Sequence, residues 1–134
     1  MSEQWLAWKT EGVKEEKPEI DFNGKWKNLL GSEMEIQVHQ EQISGHYRTA
    51  VGAPGQYEKF PLTGFANGDL ISFVVSWEKY GSITAWVGQH ARDQDGKNER
   101  IETVWYMAKN IGGQSEPGTL WGTFLTGPNT FKRA

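Results

Sequence analysis

From Gly24 onward the chain is divided into short strand-like runs by Gly, Pro, Asn and Asp, and this division constrains the fold more than any other feature. The 16 glycines and seven tryptophans, without a stretch rich in Ala, Leu, Glu and Lys, favour many short strands joined by tight turns. The connections are too short for crossover helices, so the runs are expected to form consecutive antiparallel hairpins. The eight runs are 25–30, 34–39, 42–49, 57–65, 69–77, 82–90, 100–108 and 119–126.

An eight-run meander predicts an all-β fold, an eight-stranded antiparallel up-and-down β-barrel, because closing the sheet removes its exposed edges. A two-sheet sandwich is the competing architecture. The first residues are charge-mixed and contain Pro18, which is typical of a terminal extension. We therefore predict an N-terminal tail over residues 1–21 and a barrel domain over residues 22–134.

Charge and composition argue against several classes of function. The 14 basic against 17 acidic residues give a net charge of −3, which disfavours nucleic acid as a partner. No apolar run approaches the roughly 18–20 residues of a membrane helix, so we expect no membrane partner. The absence of cysteine excludes disulfides, thiolate metal sites and thiol catalysis.

Strand alternation predicts an interior that mixes tryptophan with polar side chains. On run 69–77, Ile71, Phe73, Val75 and Trp77 share one face. The tryptophan-bearing faces of the other runs also carry hydroxyls and amides, namely Asn28, Tyr47, Thr49, Ser82, Thr84 and Thr103. These groups either pair with one another or with trapped water, or they surround a cavity for one small ligand. The mixture favours a cavity.

The opposite faces carry apolar residues that a monomeric barrel does not need. Val74, Val87, Val104 and Tyr106 are expected to point outward. Ordinary strand propensity explains them, and so does packing against other subunits.

Nothing in the sequence argues for catalysis. The three histidines, His39, His46 and His90, have no metal-ligand spacing, so no metal and no cofactor are expected. A nucleophilic-serine motif and a phosphate-binding glycine loop are also missing. We therefore predict a protein that is not an enzyme.

Six motifs in order resemble the avidin/streptavidin family, from about Gly24 to Phe131. They are GKWKNLLGS at 24–32, SGHYRTAVG at 44–52, VSW at 75–77, SITAWVGQ at 82–89, TVW at 103–105 and GPNTF at 127–131. The resemblance implies an avidin-like barrel that binds biotin with high affinity in its open end, biotin being a ligand and not a cofactor. A lipocalin-like carrier of another small apolar ligand is the alternative, and an enzyme on the same barrel is a third reading. The clustered donors Asn28, Ser32 and Tyr47 favour biotin, because an apolar ligand does not need three hydrogen-bond donors at one end.

The resemblance also implies a role for each matching position. Asn28, Ser32 and Tyr47 match the donors to the ureido oxygen, and Thr49 and Asn129 match the acceptors of the ureido N–H groups. Thr84 matches the hydroxyl near the thioether sulfur, and Ser82 and the Ala53 backbone match the carboxylate-binding positions. The positions that match the apolar walls and their supports are Trp77, Trp86, Trp105, Val51, Leu30 and Met107.

Assembly and location follow from the same resemblance. Trp121 matches the tryptophan that a neighbouring subunit lends to the site, so a homotetramer is expected. The family implies a secreted protein, although residues 1–20 show no signal peptide. The sequence departs from the family pattern at Met107, which replaces a usual Leu. Asn129 stands where part of the family has Asp, and Glu78 and Lys79 stand where they can alter carboxylate recognition.

Overall fold

The computed structural model describes residues 19–50, 58–110 and 124–134. In these stretches the chain forms eight strands and one turn of 3-10 helix, Glu78–Tyr80. None of their helical structure is long or apolar enough to cross a membrane. The strands are β1 (Gly24–Asn28), β2 (Glu33–His39), β3 (Gln42–Arg48), β4 (Phe60–Asn67), β5 (Leu70–Ser76), β6 (Ser82–Ala91), β7 (Arg100–Lys109) and β8 (Phe124–Arg133).

The strands form a closed antiparallel barrel in chain order. Each strand pairs with the next, and β1 closes the ring against β8 through the pairs Trp26↔Arg133 and Asn28↔Phe131. This confirms the predicted eight-stranded up-and-down barrel and excludes the two-sheet sandwich. The division into a tail over 1–21 and a domain over 22–134 stays a prediction, because residues 1–18 lie outside the described part of the chain.

Alternation along the strands fills the interior as the sequence predicted. On β5, Ile71, Phe73 and Val75 are buried while Val74 between them is exposed. Val87, Val104 and Tyr106 are also exposed, so the predicted outward-facing set is confirmed. The largest fully buried side chains, which include Trp26, Phe22, Phe73, Phe131 and Met34, form one continuous core.

Every expected strand differs from the structure by at least one residue, and β4 runs over Phe60–Asn67 where 57–65 was expected. The differences at β1 and β8 bear on the site. β1 ends at Asn28, so Leu30 does not share a strand face with Trp26; it lies in the following turn and is 67% exposed. The last strand was expected to end at residue 126, before Gly127 and Pro128, but it continues to Arg133. β8 pairs with β1 only from Phe131 onward, so no strand lies beside Pro128 on that side. Proline is tolerated there because its missing N–H costs no hydrogen bond to β1.

The two ends of the barrel differ. One end, here called the closed end, contains the start of β1 and the end of β8 and is filled by Phe22, Trp26, His90, Glu99 and Arg133. The other end, here called the cavity end, contains the end of β1 and the start of β6 and opens into a cavity.

Candidate functional site

A cavity of about 310 Å³ occupies the cavity end of the barrel, which is a size suited to one small ligand. Its walls combine aromatic rings with hydroxyl and amide groups. The lining residues are Asn28, Leu30, Ser32, Tyr47, Thr49, Trp77, Tyr80, Ser82, Thr84, Trp86, Trp105, Met107, Lys109 and Asn129.

The structure therefore brings together every predicted site residue that it describes. Leu30 lines this cavity from its exposed turn and not from a strand. Three predicted site residues, Val51, Ala53 and Trp121, lie outside the described residues. Tyr80 and Lys109 also line the cavity, and the sequence analysis missed both.

The turn after β1 fixes the first polar group of the site. The Ser32 N–H donates to Oδ1 of Asn28 over 2.9 Å, and the Gly31 N–H donates to the Asn28 carbonyl over 3.1 Å. Gly31 adopts φ +92°, a left-handed conformation that other residues rarely adopt. Because Ser32 occupies the amide oxygen of Asn28, the Nδ2 group is the part of this side chain that can donate into the cavity.

Ser32 and Tyr47 form a second polar pair beside Asn28. The Ala50 N–H donates to Oγ of Ser32 over 2.9 Å, and the Ser32 and Tyr47 hydroxyls share a hydrogen bond. Burial raises the pKa of Tyr47 to about 12, although the bond with Ser32 opposes the shift. Tyr47 is therefore protonated at neutral pH and can act as a hydrogen-bond donor.

Aromatic rings wall the cavity around Tyr47. Its ring centroid lies 4.9 Å from that of Trp86 and 5.6 Å from that of Trp77, the latter in an edge-to-face arrangement. The Trp77 Nε1–H donates to Oγ1 of Thr84 over 2.8 Å, which fixes the indole and leaves the Thr84 hydroxyl hydrogen free to donate. Phe73 stacks on Trp86 from the core, at 4.9 Å between centroids and 17° between planes.

The opposite wall is held by β7 and β8. Trp105 pairs with Gly127, and a Cβ atom at position 127 would lie 3.1 Å from the Trp105 indole, so glycine makes room for the ring. The Thr103 Oγ1–H donates to the backbone carbonyl of Asn129 over 2.7 Å and fixes the strand that presents the Asn129 side chain.

One buried donor in the lining lacks a partner. In the part of the chain that the structure describes, Nε1 of Trp86 is the buried side-chain nitrogen or oxygen that makes no hydrogen bond. A buried N–H without an acceptor costs about 1–3 kcal/mol.

The mouth of the cavity carries a positive charge at Lys109, a position that the sequence analysis did not include in the site. Neither Glu78 nor Lys79 lines the main cavity; Lys109 does, directly across from Ser82 on the β6–β7 ladder. The signal was present in the alternation, because Lys109 continues the inward series Thr103, Trp105, Met107. The expected run ended one residue too early, at Ala108.

Tyr80 is held at the mouth by a small polar group. Its hydroxyl donates to Oε1 of Glu58 over 2.8 Å, and Nζ of Lys79 lies 3.8 Å from the same oxygen. The bond to Glu58 raises the pKa of Tyr80. No cluster of three or more His, Cys, Asp or Glu side chains suited to a metal ion occurs in residues 19–50, 58–110 and 124–134.

The avidin family model matches residues 16–134. The chain belongs to the avidin family. Avidin from Gallus gallus is 32% identical over 121 residues, which cover 84% of this chain and 77% of avidin. The crystal structure of xenavidin is similar with a TM-score of 0.73 and 31% identity, covering 85% of this chain and 98% of that one. The crystal structure of the rhizavidin–biotin complex gives a TM-score of 0.68 and 31% identity, covering 84% of this chain and 94% of that one.

Proposed function

We propose that this chain binds biotin tightly and without catalysis, one molecule per chain, in the cavity at the open end of the barrel. The observation that carries the proposal is the convergence of Asn28, Ser32 and Tyr47 on one side of a cavity walled by tryptophan. Once the Ser32 hydroxyl turns from Tyr47 to the ligand, the three side chains offer neighbouring donors. Such a set suits one carbonyl oxygen that carries partial negative charge, as the ureido oxygen of biotin does.

The remaining lining groups support one orientation of the ligand. With the ureido ring at the Asn28, Ser32 and Tyr47 side, Thr49 and Asn129 would accept its two N–H groups. The Thr84 hydroxyl would then face the sulfur, and the valerate chain would extend along Met107 toward Ser82 at the mouth. An amide at Asn129 is a weaker acceptor than the carboxylate found in part of the family, so this contact is expected to be the weakest of the ureido set.

Family membership supports biotin over a general apolar ligand, since a related chain, rhizavidin, forms a complex with biotin. Isothermal titration calorimetry tests the proposal. We expect saturable binding at one biotin per chain and no comparable binding of a long-chain fatty acid, which a lipocalin-like carrier would take. The absence of saturable biotin binding would contradict the proposed function.

We also propose that the chain assembles into a homotetramer in which Trp121 covers a neighbour's cavity. The support is the outward apolar face of β5–β7, where Val87 pairs with Val104 and Tyr106 lies beside them, all three exposed. Light scattering is expected to give a tetramer, and Trp121→Lys to shift it toward dimers and weaken biotin binding. A monomer at micromolar concentration would contradict this assembly. A secreted location stays a prediction from the family resemblance.

A further inference from the structure

The mouth of the cavity presents an ammonium group beside a hydroxyl. Lys109 is the last residue of β7 and pairs with Ser82, the first residue of β6. Both residues line the main cavity and also a second cavity of about 280 Å³ that adjoins the mouth. The Lys109 side chain thus stands where a ligand leaves the barrel.

Lys109 differs from the other lysine near this mouth. Lys79 forms an ion pair with Glu58 at 3.8 Å and its Nζ lies 5.3 Å from the centroid of the Tyr80 ring. In the part of the chain that the structure describes, no carboxylate lies within ion-pair distance of Lys109. None of the described carboxylates therefore neutralises its positive charge.

We propose that Lys109 determines the specificity of the site for a ligand that ends in a free carboxylate. The inference rests on the proposed function and deepens it: Lys109 and Ser82 together bind the valerate carboxylate of biotin. The hydroxyl donates one hydrogen bond, which an ester or amide carbonyl also accepts. The ammonium adds a charge–charge attraction that only the free acid receives. The site thus favours free biotin over biotin joined through an amide, as in biotinylated proteins.

The test compares biotin with biotin methyl ester, which has the same rings and chain but no charge. We expect Lys109→Met to raise the dissociation rate of biotin about five-fold and to leave that of the ester within two-fold, because a partly exposed ion pair contributes about 1 kcal/mol. Lys109→Glu should weaken biotin binding further, about ten-fold or more, because the new carboxylate repels the carboxylate of biotin. Binding of the uncharged ester should again change little. In the wild type, high salt should reduce the difference between the dissociation rates of biotin and of its methyl ester, because salt screens the charge of Lys109.

Lys79→Met is the matched control, since it removes the same charge from a lysine that does not line the cavity. It is expected to leave the biotin-to-ester ratio unchanged. Equal losses for both ligands in Lys109→Met, no loss for either, or an equal shift of the ratio in Lys79→Met would each overturn the inference while leaving biotin binding intact. A wild-type chain that binds neither ligand would overturn the proposed function, and the inference with it.

Discussion

The two ends of this barrel are built by the same alternation of side chains but handle polar groups in opposite ways. At the closed end, the chain pairs its own groups: the Trp26 Nε1–H donates to the Phe22 carbonyl over 2.9 Å, and Glu99 binds His90 at 2.8 Å and Arg133 at 3.0 Å. The Arg133 guanidinium also lies 4.1 Å from the centroid of the Trp26 ring and donates to the carbonyls of Asn23 and Asp21.

At the cavity end, the bonds within the chain fix the polar side chains without exhausting them. Asn28 uses its oxygen and keeps its amide hydrogens, Thr84 accepts and keeps its hydroxyl hydrogen, and Trp86 has a buried N–H with no partner among the described residues. The polar groups named at the closed end are thus bonded to one another within the described part of the chain, whereas those at the cavity end keep hydrogens that a ligand could accept. The difference predicts that mutations at the closed end act mainly on folding and those at the cavity end mainly on binding.

The largest expected effect is on stability, at the closed end. Trp26 is completely buried, so Trp26→Ala should lower the free energy of unfolding by about 3–5 kcal/mol through a cavity and a lost hydrogen bond. Trp105 is only partly buried, and Trp105→Ala should cost about 1–2 kcal/mol because its ring already faces open space. Urea unfolding of the ligand-free proteins measures both. If both variants lost the same free energy of unfolding, the two ends of the barrel would not differ in their contribution to stability.

The next effect is on binding, at the cavity end. Tyr47→Phe keeps the ring packing against Trp77 and Trp86 but removes the hydroxyl, so the ligand's ureido oxygen loses a buried donor. We expect biotin affinity to fall by about 1–3 kcal/mol, mostly through faster dissociation. Tyr106→Phe removes the same atom from a tyrosine on the outer face but keeps the apolar ring that the proposed assembly would bury, so it should leave dissociation unchanged. A normal dissociation rate in Tyr47→Phe would mean that this hydroxyl does not touch the ligand.

The sequence predicted this division only in part, and the limits have physical reasons. Period-two alternation identified the inward Ile71, Phe73 and Val75 and much of the cavity lining, because a strand leaves each side chain only two faces. Ser32 and Asn129 were expected only from the family resemblance. It misplaced Leu30, since the end of β1 depends on the bond between Ser32 and Asn28, which no hydrophobic pattern encodes.

Charged residues were the harder part. Lys109 continues an inward series, but a lysine at the end of a run is normally interpreted as solvated surface. The pairing of Arg133 with Glu99 joins residues 34 positions apart and arises only when β8 closes against β1. Such contacts depend on the barrel's register and cannot be predicted from the local sequence.

A third effect concerns pH and the closed end. The hydrogen bond from Arg133, helped by His90 and Arg92, lowers the pKa of Glu99 from 4.5 to about 2, against the opposing effect of burial. A carboxylate with a lowered pKa in the folded state stabilises the fold above about pH 4.5. That stability is lost as the pH falls from about 4.5 toward 2.

Glu99→Gln isolates this contribution from the protein's other carboxylates. Between pH 6 and pH 3, the variant's free energy of unfolding should fall by about 1–2 kcal/mol less than that of the wild type, a figure reduced because Glu99 is partly exposed. Urea unfolding of the ligand-free proteins at both pH values gives the comparison. Parallel losses in the two proteins would show that the Glu99 cluster does not carry this stability.

The smallest effect on the ligand-free protein tests whether water can replace a protein partner at the cavity end. Thr84→Val keeps the side-chain shape but removes the oxygen that accepts from Trp77 over 2.8 Å. Because both residues line the cavity, water can accept from the indole, and the ligand-free protein should lose only about 0.5–1 kcal/mol of stability. With biotin bound that water is displaced and the contact between the Thr84 hydroxyl and the sulfur is also lost, so the loss should grow to about 1–3 kcal/mol. Thr126→Val, which removes an exposed hydroxyl that donates to the Trp105 carbonyl, should change neither value. Equal losses in Thr84→Val with and without biotin would show that this hydrogen bond is as isolated from water as those at the closed end.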